Sequence, residues 1–206
     1  MSVEFEHVYE PAAGEWTLLL LHGTGGDEHD LVPLGHQLAP GASILSPRGQ
    51  VLEGGTSPRF FRRLAVGRLD VPDLLARTDE LAEFVRAASE RYGFDPERLL
   101  AIGLSNGANI AVSLLFRHPG LLRGAALLRP MLPYEPEQPP ALTGTDILIA
   151  AGEHDEFSSP DQTHRLAEIL ADAGAQVQTE VATGAGHGLT PGDLEAARRW
   201  TAALTA

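Results

Sequence analysis

Short apolar runs closed by glycine, proline or polar residues alternate along this chain with longer segments of helical periodicity, and that alternation admits few folds. The runs read as strands near Val3–Tyr9, Trp16–Leu21, Ser43–Ser46, Leu99–Leu104, Gly124–Leu128, Asp146–Ala150 and Gln176–Val181. Between them, apolar residues at i, i+3 and i+4 predict helices over Asp27–Leu38, Asp73–Tyr92, Ala108–His118, Pro160–Ala173 and Gly192–Ala203. A helix between two strands carries the chain back to the same end of the sheet, so such strands pair in parallel. The expectation is an α/β architecture, a mostly parallel sheet of about seven strands with helices on its faces. Two segments lack either period. Gly49–Arg68 reads as loop, and Pro130–Pro140, with five prolines, reads as an irregular connection that cannot supply the N–H donors of a helix. The whole connection Arg129–Thr145 is too short for a cap domain.

The chain has 206 residues, a length that single α/β domains commonly reach, so one domain over 1–206 is expected. Composition then removes several chemistries. A formal net charge of -13 repels phosphate backbones and anionic headgroups, which makes nucleic acid and membrane surfaces poor partners. All 15 basic residues counted as Lys+Arg are arginine, so neither a Schiff-base lysine nor a phosphate-loop lysine is available. Cysteine is absent, excluding a thiolate nucleophile, disulfides and cysteine-ligated metal. Met1–Tyr9 lacks the basic and then apolar pattern of a signal peptide, and no apolar run approaches the roughly 20 residues of a membrane span. A cytoplasmic protein is expected.

One motif stands where such a fold does chemistry. Gly103-Leu104-Ser105-Asn106-Gly107 follows the apolar run Leu99–Ile102 and opens a helical segment, the strand–sharp turn–helix setting that exposes a serine hydroxyl. The bare pattern is weak, and an ordinary glycine-rich turn could carry it; the placement is what makes Ser105 a candidate nucleophile. A serine needs a base to take its proton. Of eight histidines, His187 fits best, because Gly184-Ala185-Gly186-His187-Gly188 lies just past the last strand and can bend back toward the turn. His22, beside Gly23, reads as a brace for its loop; His154 could in principle act as base but adjoins the acid too closely to replace His187, and the other histidines carry no chemical signal. The orienting acid should follow the strand between serine and histidine, where Ala151-Gly152-Glu153-His154-Asp155 stands. Asp155 is favoured, with Glu153 the rival acid. Donors for a developing oxyanion are expected from the backbone N–H groups of Asn106 and of Thr24, within Leu21-His22-Gly23-Thr24-Gly25-Gly26.

Together these residues resemble the phospholipase/carboxylesterase family of small α/β hydrolases, and its hydroquinone-associated carboxylesterase branch in particular. The resemblance spans nearly the whole chain. It rests also on Ser46-Pro47-Arg48-Gly49, Arg59-Phe60-Phe61-Arg62-Arg63, Ser105-Asn106-Gly107-Ala108-Asn109-Ile110-Ala111 and Arg129-Pro130-Met131-Leu132-Pro133. It implies the α/β-hydrolase fold and a cofactor-free serine esterase, monomeric or homodimeric, with no metal and a small-molecule ester as substrate. The Ser105–His187–Asp155 triad and the Thr24 and Asn106 amides carry over. The chain departs from the pattern at Glu156, where relatives have proline after the acid.

Phe60, Phe61, Phe157, Met131 and Leu132 fall in loops at the end of the sheet where open α/β sheets bind ligands, so they are candidates to line the substrate cavity, core packing being the equal alternative. Arg59 could meet a substrate carboxylate, although an ion pair with one of the many acids is the favoured role. Thioester hydrolysis and cyclic-ester hydrolysis of the dienelactone type share the mechanism; the latter usually employs a cysteine, which this chain lacks. A non-catalytic binding protein on the same fold is the outlying reading.

Overall fold

The computed structural model describes residues 4–205; Val3, the expected start of the first strand, lies outside them. Strands β1 (His7–Glu10), β2 (Thr17–Leu21) and β3 (Ser43–Pro47) are followed by two small hairpins, β4 (Val51–Glu53) with β5 (Ser57–Arg59) and β6 (Arg63–Ala65) with β7 (Arg68–Leu69). Then come β8 (Leu99–Leu104), β9 (Gly124–Leu128), β10 (Asp146–Gly152) and β11 (Gln176–Ala182). One seven-stranded sheet has the order β1-β3-β2-β8-β9-β10-β11, parallel throughout except for β1 against β3. Helices α1 (Val32–Leu38), α2 (Val71–Tyr92), α3 (Asn106–Arg117), α4 (Pro160–Asp172) and α5 (Pro191–Thr205) cover it, and the whole is the α/β-hydrolase fold.

Side chains of a strand point alternately to its two faces, and this divides the core. Leu19, Leu21, Leu45, Ala101, Leu127 and Ile149 pack with residues of α2, α3 and α4. Their neighbours Leu18, Leu20, Ile44, Ile102, Leu128 and Leu148 pack with residues of α1 and α5. Because the central strands β2 and β9 are covered on both sides they are buried at every position, and after Thr17 and Gly124 they appear in the sequence as unbroken apolar runs.

Local chemistry sets the helix ends. Helix α1 begins at Val32, later than the expected Asp27: the Asp27 carboxylate accepts the His29 N–H at 2.8 Å and holds a turn there, while Pro33 suits only a first helical turn. Asp70 caps α2 by accepting the Asp73 N–H at 3.2 Å, and Gly93, at φ 74°, ends it.

The segment expected as loop, Gly49–Arg68, instead contains β4, β5, β6 and the first residue of β7. Strands of three residues are too short to display a period, and only the pairing of Val51 with Arg59 and of Arg63 with Leu69 defines them. These hairpins stand over the carboxyl ends of the sheet strands. Between β9 and β10, residues 129–145 carry neither helix nor strand.

The turn into α3 depends on contact distance. A Cβ on Gly107 would lie 2.0 Å from the Leu21 carbonyl oxygen and 2.6 Å from that of His22, both backbone atoms that cannot swing aside. Gly107→Ala is therefore expected to destabilise the protein by about 3 kcal/mol, the upper end for an overpacked core, measured as a fall in the urea midpoint at unchanged m-value.

Candidate active site

Ser105 sits between β8 and α3 with φ 51° and ψ −109°, a left-handed conformation that non-glycine residues seldom adopt. Its N–H donates to the Leu128 carbonyl at 2.8 Å, which fixes the turn to the end of β9. The Ser105 hydroxyl lies 2.8 Å from His187 Nε2. On the other side of the ring, His187 Nδ1 is 2.8 Å from Asp155 Oδ2 and 3.0 Å from Oδ1. An ionised carboxylate only accepts, so Nδ1 carries the proton and Nε2 is left to accept the serine O–H. Asp155 Oδ1 also accepts the Phe157 N–H at 2.9 Å, and the carboxylate is almost wholly removed from solvent, whereas His187 is half-buried at the cavity wall. These three residues can therefore pass a proton from hydroxyl to imidazole beside a fixed negative charge.

The rival acid is engaged elsewhere. Glu153 Oε2 accepts the Gly184 N–H at 2.7 Å, and His154 N–H donates to the Ala185 carbonyl at 2.8 Å, so both residues tie the loop after β10 to the loop that bears His187. Gly152 lets the two loops approach, since a Cβ there would meet the Gly186 carbonyl at 2.2 Å. With Glu156 after it, Asp155 faces His187.

A cavity of about 390 Å³ opens beside Ser105. Of the expected site residues it is lined by Thr24, Arg59, Ser105, Asn106, Met131, Phe157 and His187. The Phe157 ring meets the His187 ring edge-on, centroids 4.6 Å apart. The N–H groups of Thr24 and Asn106 donate to no protein acceptor among the described residues, and so are free for a ligand oxygen. Phe60, Phe61 and Leu132 do not line the cavity. Phe60 and Phe61 are buried in the core beneath α2 and α3, the Phe60 N–H held by Asn106 Oδ1 at 2.7 Å and its ring lying against His22, and Leu132 packs onto the same core. Aromatic character drew these residues into the interior, where they take more apolar surface out of water than a half-open cavity allows.

His22 does brace its loop. Its Nε2 accepts the Gly49 N–H at 2.9 Å and its Nδ1 faces the Gly23 carbonyl at 2.7 Å, which fixes the tautomer. Burial pulls its pKa below the ordinary histidine value, keeping it neutral. Arg59 is 4% exposed; it pairs with Glu53 at 3.0 Å and donates to Thr24 Oγ1 at 2.9 Å. Arg63, not anticipated, shares Glu53 at 2.7 Å and also lines the cavity, as do Leu69, Leu104, Asn109 and Leu189. Asn109 Oδ1 accepts the Met131 N–H at 2.8 Å and so holds the proline-rich connection in place. The cavity wall thus carries two arginines and no acid, in a chain of net charge -13.

The dienelactone hydrolase family matches residues 63–203. The chain belongs to the dienelactone hydrolase family. It is 44% identical to the Bacillus subtilis protein MhqD over 195 residues, 95% of this chain and 96% of that one. The crystal structure of the Bacillus cereus carboxylesterase is 45% identical and superposes with a TM-score of 0.93, covering 97% of this chain and 94% of that one. A structure of YahD with malic acid is 29% identical, with a TM-score of 0.91 over 98% of this chain and all of its own (100%). The chain is thus a hydrolase of the dienelactone hydrolase and carboxylesterase group, in keeping with the resemblance carried by its motifs. Within that group its candidate nucleophile is serine rather than the cysteine expected of dienelactone-type members. No helix among the described residues is long and apolar enough to cross a membrane.

Proposed function

We propose that this protein is a carboxylesterase in which Ser105 attacks the ester carbonyl, His187 takes the hydroxyl proton through Nε2, and Asp155 holds the resulting imidazolium. The same proton then passes to the leaving alcohol. Water, deprotonated in turn by His187, hydrolyses the acyl-serine and regenerates the hydroxyl. The N–H groups of Thr24 and Asn106 hold the oxyanion of each tetrahedral intermediate. The observation that carries this reading is the unbroken hydrogen-bond chain, 2.8 Å from Ser105 Oγ to His187 and 2.8 Å from His187 to Asp155, opening on a cavity. Serine, imidazole and carboxylate supply nucleophile, base and orientation, so the reading needs no cofactor. It includes a cytoplasmic enzyme acting as monomer or homodimer.

Substrates are small dissolved esters. Residues 129–145 supply no cap, the cavity is short, and each further acyl methylene is worth ~0.8 kcal/mol only where it finds buried surface. Arg59 and Arg63 share the single carboxylate of Glu53, and the one positive charge left over at the cavity wall favours substrates that carry a carboxylate; malic acid, the compound present with YahD, is a dicarboxylic acid. The family match gives cyclic esters a specific claim as well, since a lactone opens by the same acyl transfer. Initial rates are expected to be highest for short acyl chains in a p-nitrophenyl ester series and to rise when a monoanionic succinyl ester replaces the neutral butyryl one, with a five-membered lactone and an aryl thioester assayed beside them. An optimum at long acyl chains, or a jump in rate when a triglyceride passes its solubility limit, overturns the open-cavity reading.

A further inference from the structure

The loop that carries His187 buries few side chains of its own, and the Glu153 and His154 hydrogen bonds hold only its first half, at Gly184 and Ala185. Residues 183–188 include three glycines and are largely exposed, so the backbone there has much freedom to lose and few side chains to bury in return. Beneath it lies a charged group in the dry interior. Arg129, immediately after β9, has no solvent exposure and forms a two-pronged pair with Asp193, itself 2% exposed, at 3.0 and 2.6 Å. Its Nε donates to the Gly186 carbonyl at 3.2 Å, one Nη to the Ala150 carbonyl at 3.0 Å and the other to the Gly188 carbonyl at 2.9 Å. All five guanidinium donors are thereby used.

Two of those acceptors flank His187 in sequence, one on each side. The third, Ala150, lies in β10 two residues before its end and five before Asp155, and it accepts the Arg129 backbone N–H as well, at 2.8 Å. Leu128, the residue before Arg129, accepts the Ser105 N–H. Asp193 completes the frame from the far side: it accepts the Thr190 N–H at 2.6 Å and hydroxyl at 2.8 Å in a reciprocal cap that starts α5 two residues past the histidine loop. Burial alone would raise the Asp193 carboxyl, but the Arg129 and Thr190 hydrogen bonds outweigh it and hold the group below its usual range, so it stays charged. Arg129 itself is in a left-handed conformation, φ 56°, which turns its side chain into this frame at a cost in backbone energy. A buried ion pair adds little net stability, because desolvation offsets the attraction. What this pair supplies is position.

We propose that Arg129, locked by Asp193, is a positioning residue that sets the His187 loop against the ends of β8 and β10 and so fixes the Ser105–His187–Asp155 distances. The inference rests on the reading of His187 as the base. Its test is the double variant Arg129→Met with Asp193→Asn, which keeps the stem volume and the cap on Thr190 while leaving no unpaired charge, compared with Arg129→Lys. Folded double variant is expected to lose about 100-fold in kcat for p-nitrophenyl acetate, the scale of a small misplacement of reacting groups, with KM changed less than about twofold. Arg129→Lys, which keeps the charge but not the five-donor fork, should fall between it and the wild type. Proton NMR gives a readout independent of turnover: the downfield His187 Nδ1–H resonance expected of the wild type should broaden or vanish in the double variant. A folded double variant with unchanged kcat and an unchanged resonance overturns the proposal. Should neither variant fold, rapid solvent exchange of the Arg129 guanidinium protons in the wild type overturns it, and exchange as slow as that of core amides supports it. Wild-type protein that hydrolyses no ester fails the esterase reading, and the resonance still decides the positioning role.

Discussion

Ser105→Ala is expected to lose about 10⁶-fold in kcat for ester hydrolysis, the loss that follows removal of a serine nucleophile elsewhere, and to remain folded. The hydroxyl is the bond-forming atom, and its hydrogen bond is to His187 Nε2, so its removal leaves no buried polar group stranded. Alanine accepts the turn at the same backbone cost as serine, and the Gly103 and Gly107 contacts that shape the turn are untouched. A fluorophosphonate probe should attach to the wild type at Ser105, seen by peptide mass, and not to the variant. Label on another residue, or hydrolysis by Ser105→Ala at the wild-type rate, removes Ser105 from the mechanism.

The second large effect concerns the acid. Asp155→Asn should cost about 10⁴ in kcat, because an amide nitrogen facing Nδ1 favours the tautomer with the proton on Nε2, where it can no longer accept from the serine. Glu153→Gln should cost less than about threefold, since the glutamine oxygen can still accept the Gly184 N–H and the residue lies on the outer side of the loop. Steady-state kinetics on the two purified variants separates the roles; the opposite pattern would transfer the orienting function to Glu153.

The sheet was legible wherever burial left a trace in residue type. Leu18–Leu21, Leu99–Ile102 and Ala125–Leu128 are apolar at every position because both of their faces are covered, and their ends were readable from the glycines and polar residues that follow. Ser105, His187 and Asp155 stand out as candidates in the sequence because each lies in a loop just past a strand, and the topology brings parallel strand ends to one edge. Phe60 and Phe61 misled for a definite reason: side-chain type says that an aromatic ring will be buried, not which of two apolar surroundings buries it. The hairpins between Val51 and Leu69 escaped because pairing across two or three residues, not alternation, defines them. Arg63 went unnoticed as a cavity residue with them. Arg129 carries a signal of its own in the sequence. An arginine set inside Leu127-Leu128-Arg129-Pro130-Met131-Leu132 has to find a partner, and Thr190-Pro191-Gly192-Asp193 ahead of a helix is a capping pattern that offers one.

Ser105 and Arg129 are the two non-glycine residues with positive φ among the described residues, and both stand at strand ends beside the candidate site. Conformations of this kind cost ~1–3 kcal/mol each, a sizeable part of the ~5–15 kcal/mol that separates a folded domain from its unfolded chain. The functional sequence is therefore not the most heat-resistant sequence that this backbone can carry. Selection for thermal tolerance alone would drift toward glycine at position 105, discarding the hydroxyl, and at position 129, discarding the guanidinium. Any engineering of this chain for stability has to hold those two positions fixed and find its gains in the two apolar layers or on the helix surfaces, where durability and turnover do not compete.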